Sequence, residues 1–102
     1  MSKRSSAAER RYLGKVAAIG CVLCRHLGTP QASATTVHHI KEGQGLSQRA
    51  EHWLTVPLCH DHHLGANGLH GLGTKGFYTR YRLDELDLLA FTIEWLNLQV
   101  AA

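Results

Sequence analysis

Six consecutive residues, Leu58 to His63, read LCHDHH and place one cysteine and three histidines in a single short stretch. Upstream lie a Cys-x-x-Cys at Cys21 and Cys24 and a histidine pair at His38 and His39; downstream, after a glycine-bearing segment, comes His70. Thiolates and imidazoles are the donors of tetrahedral structural zinc, and two pairs at short spacing are a common way to supply four of them. Cys21 and Cys24 form one pair, Cys59 and His62 the other. A zinc held there would add folding free energy to a chain too small to rely on its core alone. Histidine has a second use: its ordinary pKa suits it to take a proton from water, and a divalent cation opposite it stabilises charge on a phosphate. His38 and His39 are neighbours, so on a strand they point to opposite faces. One can hold a metal while the other acts as a base.

These residues need elements to position them. A serine cap at Ser5 or Ser6, Glu9, and apolar Leu13, Val16 and Ala17 predict a first helix running to Ile19 and stopped by Gly20, with Arg10, Arg11 and Lys15 on its other side. CVLCRHLGTP reads as a metal-binding knuckle just past that helix end. TTVHHI, Thr35 to Ile40, is rich in β-branched residues and predicts a short strand; LTVPLC, ending at Cys59, predicts a second, with Pro57 at an edge or bulge. Helix begins for a turn or two after Cys59, the glycines of GANGLHGLG keep the next segment irregular, and Thr74 caps a helix carrying Phe77, Tyr78 and Tyr81. A final helix runs from Leu83 or Asp84 to Gln99. One of its stripes is Leu86, Leu89, Ala90, Ile93 and Leu96, and a second is Leu88, Phe91, Trp95 and Leu98. Both are expected to be buried within the monomer, with a homodimer contact as the alternative. Trp53 is expected in the core.

The chain has 102 residues, 44% hydrophobic and 19% charged, which fits one ordinary globular domain: a basic N-terminal helix over 1–20, a metal-binding core over 21–73 and C-terminal helices over 74–102. Up to Ala50 there are eight Lys or Arg against two Asp or Glu, and beyond it three against six. A basic half suits a phosphate backbone. Three cysteines are an odd set for a disulfide framework, so metal ligation by reduced thiols explains them better. The apolar run near the C-terminus is broken by Asp87, Thr92, Glu94 and Asn97, and no apolar segment follows the charges of MSKRSSAAERR. The expectation is therefore a chain that starts near Met1, avoids the membrane and stays in the cytoplasm.

The order Cys-x-x-Cys, then HHI on a strand, then VPLC-x-x-HH entering a helix resembles the HNH endonucleases, whose ββα-metal core presents one catalytic cation to the scissile phosphate. The resemblance implies an α+β fold, a zinc-stapled, treble-clef-like ββα-metal core with flanking helices. It also implies roles: His38 and His63 as ligands of the catalytic metal, His39 as general base, and His62 standing where many members carry a fourth cysteine. The longer pattern VAAIGCVLCRHLG…VHHIKEGQGLSQRAEHWLTVPLCHDHH…GLHGLG resembles the Ref family, phage recombination-enhancing nucleases that cut DNA engaged by RecA. Relatives of that group carry a further histidine before the next helix, which implies His70 as a third ligand. The asparagine of a typical HNH motif is missing before Cys59, where Leu54 and Thr55 stand, so Thr55 or His52 is expected to brace the loop instead.

The sequence reading is thus a DNA endonuclease with structural Zn2+ and a catalytic Mg2+ or Mn2+, a site that zinc would also fill in crystals. Lys41, Gln44 and Arg49 between the strands, with Lys75 and Arg80 beyond the last ligand, are the candidate DNA contacts. Expected partners are DNA and a RecA filament in a bacterial host, with the chain a monomer or homodimer. The alternative is a non-catalytic zinc-knuckle module that binds DNA or a recombination protein.

Overall fold

The computed structural model describes residues 5–41 and 51–101, a mixed assembly of helices and one two-stranded sheet. Helix α1, Ala7–Ile19, begins at a reciprocal capping box: Ser6 Oγ accepts from the Glu9 N–H at 3.0 Å, and Glu9 Oε1 accepts from the Ser6 N–H at 2.7 Å. Gly20 ends it at φ 84°, and Cys21 at once caps helix α2, Val22–Leu27. The expected knuckle is therefore itself helical, because the Cys21 sulfur accepts the Cys24 N–H and so serves as the N-cap. Gln31 locks this corner to the sheet: its Oε1 accepts the Cys21 N–H at 2.7 Å, and its Nε2 donates to Ser33 O and to Thr35 Oγ1.

Strands β1, Thr35–His39, and β2, Thr55–Cys59, pair antiparallel with Thr35 opposite Cys59 and His39 opposite Thr55. In a sheet of two strands each is an edge, which is why Pro57 is tolerated. β2 is buried throughout, packed by α1, α2 and the last helix, and forms the centre of the core with Ile19, Val22, Leu23, Phe77 and Leu88. Helix α3, His60–His63, follows directly from Cys59.

Helix α4 spans Leu69–Tyr81 and is kinked at Gly73 (φ 75°, ψ 170°), a left-handed backbone conformation that glycine adopts without cost. A helical turn thus starts five residues before Thr74, inside the segment expected to be irregular, while the break at Gly73 leaves a second helical stretch from Thr74, as expected. At Gly71 an added Cβ would lie 2.1 Å from the Gly65 carbonyl oxygen. The glycines therefore let one turn press onto the backbone beside α3 rather than merely loosening the chain.

Helix α5, Glu85–Ala101, begins at a second reciprocal cap, in which Asp84 and Asp87 each accept the other's backbone N–H. Its expected burial is corrected in part: Leu88 is fully buried as expected and Leu89, Phe91, Trp95 and Leu96 pack partly buried against the core, but Leu86, Ile93 and Leu98 are exposed and Thr92 is fully buried. Thr92 enters the core because its hydroxyl donates to the Leu88 carbonyl one turn back. Trp53 is likewise not core; it is 45% exposed and leans on Tyr12 with ring centroids 5.1 Å apart. Among the described residues, no helix is long and apolar enough to cross a membrane.

Candidate metal centres

Two clusters of ligand atoms lie at the ends of this small framework. The first gathers Cys21 and Cys24 from the α1–α2 corner with Cys59 at the end of β2 and His62 on α3, all four donor atoms within 4.8 Å of one another. The His62 Nδ1 is 3.6, 3.5 and 3.3 Å from the sulfurs of Cys21, Cys24 and Cys59, and the Cys24 and Cys59 sulfurs are 3.9 Å apart. Tetrahedral zinc with its usual bond lengths would set nitrogen–sulfur and sulfur–sulfur separations of about 3.5 and about 3.8 Å. The donors fit that ion as they stand.

Their electrostatics agree. Burial and the neighbouring thiols push Cys24 up to about 12, and burial raises Cys21 as well. Burial pushes Cys59 in the same direction, but the His62 backbone N–H and hydrogen bonds from Ser33 and the other cysteines outweigh it and leave this thiol below its ordinary value. Burial lowers His62, with the Arg80 charge adding to the effect. A divalent cation among the three crowded sulfurs would favour the thiolate form of each, Cys21 and Cys24 included.

The second cluster is His38 on β1, His63 at the end of α3 and His70 on the first turn of α4, again within 4.8 Å. Hydrogen-bond arithmetic fixes one tautomer. Thr36 Oγ1 donates its single proton to the Leu58 carbonyl at 2.9 Å, so toward His63 Nδ1, 2.7 Å away, it can only accept. His63 therefore carries its proton on Nδ1 and turns a bare Nε2 to His38 Nδ1, 3.1 Å away. Ligands of one tetrahedral zinc-sized ion would lie about 3.3 Å apart. Burial and the surrounding imidazoles hold His63 down to about 4, and burial lowers His38, so both lone pairs are available at neutral pH.

This second centre is open where the first is closed. His38 and His63 are buried, but His70 is exposed, and a groove of about 210 Å3 lined by His38, Lys41, Leu69, His70, Gly73, Thr74 and Glu85 runs past it. An ion held by these three imidazoles would keep a position open on the groove side, whereas the sulfur-rich set could complete a tetrahedron by itself.

His39 faces away from His38 and places its Nε2 3.0 Å from His52 Nδ1. Thr55 Oγ1 donates to the His52 carbonyl, while the loop that Thr55 or His52 is expected to brace lies outside the described residues. Lys41 borders the groove, Lys75 lines a neighbouring depression with Thr74 and Tyr78, and Arg80 lies nearer the sulfur-rich centre. Gln44 and Arg49 lie outside the described residues. Part of the basic half is structural: Arg25 donates to the Ile19 carbonyl and its guanidinium rests 4.4 Å over Trp95.

Sequence reasoning missed Thr36 and Glu85 altogether. Thr36 looks like any β-branched strand residue, and Glu85 like an ordinary acid in a first helical turn. Glu85 instead reaches His38 Nε2 with one carboxylate oxygen, and both its oxygens lie within 3.3 Å of the Lys41 N–H.

No curated protein and no solved structure matches the chain. Residues 5–97, spanning both clusters and every described element up to most of α5, match the family described as "Recombination enhancement, RecA-dependent nuclease", and the chain belongs to that family.

Proposed function

We propose that the protein is a metal-dependent DNA endonuclease of the HNH type, a zinc-stapled ββα-metal core with flanking helices, acting with a RecA filament in phage recombination inside a bacterial host. The observation that carries this reading is the open imidazole centre of His38, His63 and His70 at the edge of a groove, with His39 on the adjoining strand position. The sulfur-rich centre, with Zn2+, fixes the corner from which β2 and α3 present His63.

The imidazole set would hold Mg2+ or Mn2+ with water and phosphate oxygens filling the open positions, and would bind zinc more tightly than either. Such an ion supplies Lewis-acid stabilisation of charge on the scissile phosphate and the leaving 3′ oxygen. His39 removes the proton from the attacking water. In a neutral pair of imidazoles joined by one hydrogen bond, the donor ring keeps a bare outer nitrogen. A base role for His39 requires it to donate Nε2–H to His52, which leaves Nδ1 as the nitrogen that takes the water's proton. Lys41, Lys75 and Arg80, with Gln44 and Arg49 from the intervening loop, contact the DNA backbone.

The test is strand cleavage of circular single-stranded and supercoiled DNA with Mg2+ or Mn2+, with and without RecA and ATP. His39→Ala is expected to cut roughly 10²–10⁴-fold more slowly with both metal centres intact. A His39→Ala protein as fast as the parent would overturn the assignment, and cutting indifferent to RecA would leave an HNH nuclease without the partner.

A further inference from the structure

His38 is the ligand with the most demanding surroundings: it is 4% exposed, and each of its ring nitrogens faces a different neighbour. Nδ1 looks into the imidazole centre toward His63, and Nε2 meets the Glu85 carboxylate. Glu85 stands in the first turn of α5, at the positive end of the helix. An ionised carboxylate can only accept. It therefore requires the proton of neutral His38 to be on Nε2 and leaves Nδ1 bare. The same carboxylate accepts from the Lys41 backbone N–H, with oxygen distances of 3.2 and 3.3 Å, and so grips the chain just beyond β1 as well. Its side chain is 13% exposed, so water competes little for these contacts.

We infer that Glu85 is a positioning residue of the imidazole centre: from the last helix it fixes the tautomer and ring orientation in which His38 Nδ1 can bind a cation. This role rests on the reading of His38, His63 and His70 as one metal centre. It makes α5 part of the site rather than a flanking support, because the acid that sets His38 comes from 47 residues further along the chain. Thr36 performs the matching service for His63, so two ligands have their outer nitrogens committed by partners from opposite sides. A negative charge behind the ring also raises the basicity of the ligating nitrogen, and outer partners of this kind typically change metal affinity 10–100-fold.

The role is tested by Co2+ titration, since thiolate ligation gives a charge-transfer band that an all-imidazole site lacks. Parent protein is expected to take one Co2+ with that band and a second without it. Glu85→Ala should weaken the second ion by roughly 10–100-fold and leave the first unchanged, which also reports an intact fold. Glu85→Gln, which keeps an acceptor and loses the charge, should fall between. Ring 15N shifts, measured with zinc in the thiolate site alone, should give His38 as the Nε2–H tautomer in the parent and as a mixture in Glu85→Ala. Unchanged second-site affinity and an unchanged tautomer in Glu85→Ala would overturn the role of Glu85 while leaving the metal centre standing. Parent protein that binds only the thiolate-site Co2+ would overturn the imidazole centre itself, and the role of Glu85 with it.

Discussion

The two centres share α3 and differ in almost everything else. His62 and His63 are consecutive, yet one turns to three sulfurs and the other to two imidazoles, so a four-residue helix divides two chemistries between its faces. The sulfur-rich centre has four ligands, with its three cysteines buried and their spacing that of a tetrahedral ion. The imidazole centre has three, one of them exposed, and a groove at its side. Closure suits a structural ion, which must not exchange or react; openness suits an ion that must accept a substrate oxygen. On the proposed reading, one metal site holds the fold at a size where the core is small, and the other is free for chemistry.

That contrast is most sharply broken by removing a sulfur. Cys59→Ser takes away a ligand that also ends β2 and precedes α3, so it should unfold the chain or leave it dependent on high zinc. Structural zinc contributes roughly 10–16 kcal/mol of apparent free energy in small zinc-stapled peptides, as much as the roughly 5–15 kcal/mol total stability of a small domain. Circular dichroism with and without chelator would show it, and a Cys59→Ser protein as stable as the parent would remove the structural role from that centre. A substitution behind the other centre should act far more gently. Thr36→Val keeps the shape of the strand residue but deletes the oxygen that fixes His63. It should weaken the imidazole-site ion by about 10-fold or more, toward the range seen for outer partners, with little change in melting temperature. Equal loss at both centres would mean that they are not separate.

The same contrast decides how much could be read from the sequence. The sulfur-rich centre was legible because its members come as two local pairs, Cys21 with Cys24 and Cys59 with His62, each spanning one turn of chain whatever the rest of the fold does. The imidazole centre draws single residues from β1, α3 and α4, and periodicity does not say that they meet; only the likeness to known nucleases implied it. Thr36 and Glu85 carry no local signal, since hydrogen bonds over 27 and 47 residues depend on tertiary placement alone. The helical start at Leu69 was hidden because glycine normally marks irregular chain, whereas at Gly71 the missing Cβ permits a close backbone contact. On α5, apolar spacing marked Leu86, Leu88 and Ile93 for the core, but of these only Leu88 enters it, joined by Thr92. Hydropathy penalised Thr92 for a hydroxyl that its own helix satisfies.

If the proposed function holds, the imidazole centre cuts DNA and the sulfur-rich centre does not. The most direct measurement is RecA- and ATP-supported cleavage by His63→Ala, made alongside its metal content and melting temperature. Cleavage is expected to fall at least about 100-fold, in line with the loss of metal-ion catalysis, in a protein that still melts cooperatively and holds one thiolate-bound metal. Cleavage at the parent rate by a protein that retains only the sulfur-rich metal would contradict the proposed function.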